Sequence, residues 1–168
     1  AGMKPDFSLI MLFIVILMIP DNRVKVVAGL ATAVITAMTT SFPNGQIANI
    51  VDKIVTTAVV MGLTTLLPRR ILVLGVGILG TLVSGTVFLG TVALVSGLPA
   101  SFVSLMLAVV LPATGINTLA LLVLYPLAVA RLAVNASTWT HRSTGQNATY
   151  AESRMAATWP ALEALLRV

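Results

Sequence analysis

The stretch ILVLGVGILGTLVSGTVFLGTVALV, from Ile71 to Val95, contains no charged side chain. A helix needs about 20 apolar residues to cross ~30 Å of hydrocarbon at ~1.5 Å per residue, so this segment is long enough to span a bilayer. Working outward, four more apolar stretches stand beside it: Phe7–Pro20, Val24–Ser41, Ile47–Leu67 and Phe102–Ala130. The connectors between them are short and rich in Pro, Gly, Asn and charge, and strand alternation is absent, which argues against a barrel. The fold class that follows is all-α: a polytopic helical membrane bundle with five spans in this chain.

Composition supports this. Of 168 residues, 58% are hydrophobic and 9% charged, with a mean hydropathy of +1.04. A soluble domain carries about a quarter charged residues because its surface must be wet. A soluble enzyme, a disordered chain and a nucleic-acid partner are all disfavoured together. Cysteine is absent and His141 is the single histidine, which removes disulfides, Cys-ligated zinc, thiol nucleophiles and a His-based metal site. No Ser/His/Asp arrangement or carboxylate pair occurs in the apolar part, so the chain does not read as an enzyme. No phosphate-binding loop signature is present, so no cofactor is expected in this chain and any ATP-driven work falls to another subunit. Gly75, Gly77 and Gly80 form a G-x-G-x-x-G, but inside an apolar span rather than after a strand, so they read as an accident. The small pairs Gly80/Ser84, Thr81/Gly85 and Thr86/Gly90, spaced by four, read instead as a helix-packing face, either within the chain or toward a partner.

Charge placement predicts orientation. Arg23 and Lys25 sit at the first connector, Arg69 and Arg70 at the third, and Arg131, Arg142 and Arg154 follow the last span, while the second and fourth connectors carry no Lys or Arg. The positive-inside rule puts the first and third turns and the C-terminus in the cytoplasm of a multi-pass plasma-membrane protein. Ala1 then begins outside, from which a sixth, N-terminal span is expected upstream. Residues 1–133 read as the transmembrane bundle and 134–168 as a polar cytoplasmic tail, with a short surface helix expected near its end, at Pro160–Val168. Trp139 and Trp159 read as interfacial anchors, and the glycosylation-like Asn135-Ala136-Ser137 and Asn147-Ala148-Thr149 as chance matches.

Ionisable groups at membrane depth are costly and mark function by default. Three clusters stand out: Lys4-Pro5-Asp6; Gln46, Asn49, Asp52 and Lys53 in the opening turns of the third span; and Asn117, five residues after Pro112. Gln46, Asn49 and Lys53 share a helix face by their i, i+3, i+7 spacing, whereas Asp52 and Lys53 lie ~100° apart. The turn Phe42-Pro43-Asn44-Gly45 adds an aromatic face and backbone donors at a helix start. These parts suit a small zwitterion: a cation or helix start for its carboxylate, Asp52 or Asp6 for its ammonium, with Phe7, Phe42 and nearby Met residues flanking an apolar side chain. A purely structural network, Lys53 with Asp6 or Asp52 with Lys4, is the competing reading. Pro112 and Pro126 each free a carbonyl one turn upstream, near Ala108 and Leu122.

Gly2-Met3-Lys4-Pro5-Asp6-Phe7-Ser8-Leu9 and the run from Thr39 to Lys53 resemble the TrpP-type tryptophan transport proteins, and Leu111 to Asn117 followed by Leu124-Tyr125-Pro126 is similar to their last helix. That family is related to the substrate-binding (S) components of energy-coupling-factor transporters. The resemblance covers roughly residues 2–132. It implies a six-helix bundle, a substrate pocket near the outer surface, and partners in the form of a transmembrane coupling subunit and two ATPases, with tryptophan as substrate and ATP used only through those subunits. Within it, Lys4, Asp6, Phe42, Gln46, Asn49, Asp52, Lys53 and Asn117 are the expected pocket residues. Lys53 or Lys4 would receive the carboxylate, Asp52 or Asp6 the ammonium, Phe42 would stack on the indole, and Asn49 or Asn117 would accept its N–H. Two rival functions stay open: a solitary ion-coupled amino-acid or vitamin carrier with Asp52 as proton site, and a non-transporting membrane scaffold.

Overall fold

The computed structural model describes residues 6–42 and 45–142, with side chains described as far as residue 133. Lys4, the Pro43-Asn44 turn, Trp159, the second glycosylation-like site and the expected surface helix at 160–168 lie outside the described residues. All the described regular structure is helical. Helix α1 covers Phe7–Met18, α2 Asn22–Thr39, α3 Gly45–Leu66 and α4 Arg69–Val95. Helix α5 opens with Phe102–Leu105, passes through a π turn at Met106–Val110 and continues as Leu111–Arg142. The last helix thus carries on beyond the composition change at Val134. The chain divides into two compact units, Ala1–Val123 and Leu124–Val168.

Among the described residues, three helices are by length and composition alone long and apolar enough to cross a membrane: α3, α4 and the Phe102–Ala133 part of α5. All five expected helices are present, α1 and α2 being the shorter and the more polar of them. Helix α1 has 12 residues, about 18 Å at ~1.5 Å per residue, against ~30 Å of hydrocarbon. Pro20 and the Asp21 cap end it early: Asp21 accepts from the Arg23 amide and starts α2 at once. Helix α2 is 18 residues long but carries Arg23 and Lys25 in its first turn.

The short α1 compensates by burial. Leu9, Ile10, Leu12, Phe13 and Ile16 are all sealed inside the bundle, the pattern of a helix enclosed by others rather than facing solvent on one side. Two glycines set how closely its neighbours approach. A Cβ at Gly80 would stand 2.6 Å from Phe13 Cζ and 3.1 Å from Val60 Cγ2, so α4 meets α1 and α3 there. A Cβ at Gly29 would collide with the Thr57 hydroxyl, so α2 and α3 close on each other at that point. The small-residue face of α4 is accordingly a packing face within the chain, apart from Gly90, which faces open space. Outward, large apolar residues such as Val27, Met38, Leu94 and Leu119 are exposed, a surface suited to lipid and too apolar for water.

Pro112 has no N–H to give the carbonyl of Ala108, and just upstream the Leu111 amide reaches back five residues to Met106. In α4 the π turn Val76–Gly80 spans the glycine-rich stretch. The G-x-G-x-x-G therefore lies within a helix, as the sequence suggested.

Candidate functional site

Helix α1 begins with Asp6 as its cap: Oδ1 accepts the Leu9 amide at 3.0 Å. Its other oxygen, Oδ2, lies 3.0 Å from Lys53 Nζ in α3. Lys53 also donates to Asp52 Oδ2 at 2.8 Å and weakly to Ser84 Oγ of α4 at 3.5 Å. The Thr56 hydroxyl completes Asp52 by donating to Oδ1 at 2.9 Å. Finally the Asp6 amide donates to Asn117 Oδ1 at 3.3 Å, tying α1 to α5. Four helices thus converge on one ammonium and two carboxylates.

The charges explain why the convergence holds. Asp52 and Lys53 are each 1% exposed, and a buried ion persists only when paired and hydrogen-bonded on its remaining atoms. Two carboxylates against one ammonium leave the group with a formal charge of −1. Lys53 and Asp52 are sealed, but the Asp6 side chain is 40% exposed, so it is the member of the trio open to an incoming group.

Above this group lies a cavity of about 290 Å³, at the lower end of the range of small-molecule sites, about 300–1,000 Å³. Asp6, Asn49, Asp52, Lys53 and Asn117 supply its polar wall. Its apolar wall comes from Leu9, Phe88 and Leu89, with Leu105, Val109 and Val110 at and beside the π turn of α5. Phe42 and Phe88 meet edge to face, with ring centroids 5.6 Å apart and planes at 80°, a favoured aromatic arrangement. Asn49 donates through Nδ2 to the Gly45 carbonyl at 2.9 Å, and its Oδ1 has no partner among the described residues. The lining is drawn from the first halves of α1, α3 and α5, the middle and second half of α4 and the connector that follows α2. The arginine-bearing connectors lie at the opposite helix ends.

Six of the eight expected residues therefore line one cavity: Asp6, Phe42, Asn49, Asp52, Lys53 and Asn117. Gln46 does not: it is exposed and outside the lining. The buried stripe of α3 runs Gly45, Ala48, Asn49, Asp52, Lys53 and Thr56, and Gln46 falls off its edge. Phe7 is also excluded, being 62% exposed; Phe88 occupies the aromatic place assigned to it, and no methionine lines the cavity. Asp52 and Lys53 pair directly despite their ~100° offset, because the long Lys side chain folds back to its neighbour. Sequence reasoning also missed the α4 contribution of Thr81, Ser84, Gly85 and Phe88. Thr81, Ser84 and Phe88 stand at i, i+3 and i+7, the same spacing that singled out the α3 cluster.

Residues 1–133 match the family model described as Tryptophan transporter TrpP. A probable tryptophan transport protein of Bacillus subtilis (strain 168) is 44% identical over 130 residues, 75% of this chain and 75% of that one. Those of Clostridium acetobutylicum and Clostridium perfringens (strain 13 / Type A) are each 43% identical, over 124 and 136 residues. These cover 70% and 73% of this chain and 71% and 75% of theirs. No solved structure matches the chain. On residues that include the whole cavity, the chain belongs to the TrpP tryptophan transporter family.

Proposed function

We propose that the chain is the substrate-binding membrane component of a tryptophan uptake system, working as the S-component-like part of an energy-coupling-factor transporter. The observation that carries the reading is the pairing, in one cavity, of an over-acidic ion group with the Phe42–Phe88 aromatic wall. The exposed Asp6 carboxylate takes the substrate ammonium, since the trio holds one negative charge more than it neutralises. The indole lies against Phe42 and Phe88, with its N–H donating to Asn49 Oδ1. The apolar bulk of tryptophan leaves water for the wall, the main source of affinity, and the polar contacts fix its orientation.

In the bilayer, the positive-inside rule places the connectors bearing Arg23, Lys25, Arg69 and Arg70 on the cytoplasmic side, and the C-terminus with them. The cavity then faces outward, where substrate arrives. Energy comes from ATPase subunits acting through a transmembrane coupling subunit. A ligand-stabilisation screen of the purified protein across amino acids and vitamins tests the substrate: tryptophan raises the melting temperature most, and a vitamin ranking first overturns the assignment.

A second reading draws on the excess carboxylate. A solitary carrier would use Asp52 as a proton site, coupling uptake to the proton gradient. Depleting ATP while holding that gradient separates the two: uptake stops in the first reading and continues in the second.

A further inference from the structure

We propose that Thr81 is a specificity residue that donates a hydrogen bond to the substrate carboxylate. The inference rests on the cavity being an amino-acid site, and it concerns a residue to which no role has been attached.

Thr81 is 4% exposed, forms part of the cavity wall, and its hydroxyl is buried with no hydrogen-bond partner among the described residues. This is unusual within the molecule. The helical threonines Thr57, Thr86, Thr91 and Thr114 each donate to the carbonyl four residues back. Thr81 follows directly on the π turn of α4, where its own amide is shared between the Gly77 and Ile78 carbonyls. That amide keeps the ordinary helical register, yet the hydroxyl beside it takes no carbonyl, and an unsatisfied buried hydroxyl is destabilising. A ligand acceptor in the cavity removes that deficit.

The identity of the acceptor follows from charge. Lys53 already serves two carboxylates, so a third carboxylate needs neutral donors as well. Two contacts fix how α4 lies on α5: Gly77 against Thr118 and Gly85 against Val110. These positions run in opposite directions along the two helices, which puts Thr81 level with Thr114 and within one turn of Asn117. Asn117 accepts the Asp6 amide through Oδ1, and its Nδ2 has no partner among the described residues. Thr81 Oγ1 and Asn117 Nδ2 thus offer two neutral donors in the same cavity as the exposed Asp6 carboxylate, which suits the two ends of a zwitterion. The other orphan hydroxyl, that of Thr118, does not line the cavity.

The test measures binding of tryptophan and of tryptamine, which lacks the carboxylate, to wild type, Thr81→Val and Thr81→Ser. Thr81→Val keeps the shape and removes the donor. Its expected effect is about a tenfold loss of tryptophan affinity with tryptamine unchanged, while Thr81→Ser keeps tryptophan within about threefold of wild type. A melting temperature of ligand-free Thr81→Val equal to or above that of wild type accompanies this, because an orphan hydroxyl has gone. Equal weakening of both ligands by Thr81→Val, or of neither, overturns the assignment to the carboxylate, as does loss of tryptophan binding in Thr81→Ser. A wild-type protein that binds no tryptophan overturns the underlying reading of the cavity instead, and the inference falls with it.

Discussion

Lys53 Nζ lies 3.0 Å from Asp6 Oδ2, across 47 residues of sequence, and this contact fastens the first turn of α1 to the middle of α3. It joins two residues that the family resemblance and the helix spacing had each singled out separately. The same lysine also closes on Asp52, so its removal strands two carboxylates at once.

Lys53→Met is therefore expected to destabilise the fold strongly. Breaking a buried ion pair by deleting one partner costs about 3–5 kcal/mol, because the survivor stays buried and unpaired. The double variant Lys53→Met, Asp52→Leu should recover most of the loss. Thermal unfolding in detergent of the single and double variants checks this, and a double variant less stable than the single contradicts it.

Asp6→Asn separates capping from charge. Asparagine caps helices about as well as aspartate, so α1 should keep its start while the cavity loses its accessible negative charge. Tryptophan binding is expected to fall by at least tenfold with only a small drop in melting temperature. Asp52→Asn should also weaken binding, and more than Asp21→Asn, since Asp21 caps α2 away from the cavity. Isothermal titration of the three variants decides; equal effects for Asp52 and Asp21 refute the assignment.

Gly80→Ala places a methyl group 2.6 Å from Phe13 Cζ. Overpacking of this kind costs about 1–3 kcal/mol. Gly90→Ala meets open space and gains helix propensity, so it should be neutral or slightly stabilising. The pair, compared by thermal melting, distinguishes close packing from a general intolerance of change in α4.

Phe88→Ala should cost about 2–10-fold in affinity for aromatic amino acids beyond the apolar area lost, the value of an aromatic pair being about 0.5–1.5 kcal/mol. The discrimination between tryptophan and leucine should shrink accordingly. Competition binding measures that ratio directly, and an unchanged ratio removes Phe88 from the substrate wall.

The chain has no cysteine, so single cysteines report topology without background. Ala100→Cys and Arg70→Cys place the thiol at exposed positions, in the connector before α5 and in the first turn of α4. A membrane-impermeant maleimide applied to intact cells is expected to label the first and spare the second. The reverse pattern inverts the proposed orientation.

Much of this was legible in the sequence. Apolar length and punctuation predicted helices at all five places, and polar residues out of place in apolar runs (Asp6, Asn49, Asp52, Lys53, Asn117) identified most of the cavity's polar wall. The failures have physical reasons. Helix α1 was read through to Pro20, since hydropathy alone does not register that a Pro-Asp pair and its cap start the next helix at once. Gln46 was admitted because spacing defines a face only to within a residue, and the buried stripe is centred on Asn49, Asp52, Lys53 and Thr56. Thr81, Ser84 and Phe88 were passed over because small residues in a uniformly apolar helix signal close packing. Gly80 and Gly85 do pack closely, and only the fold shows that the same face also borders a cavity.

The two oxygens of Asp6 have separate duties, one holding the Leu9 amide and the other Lys53. A guest cation that competes for the second oxygen pulls on a carboxylate still anchored by the first. Under the proposed reading, arriving cargo would therefore bear on the threshold of a stubby helix packed, through Phe13, against the waist of α4.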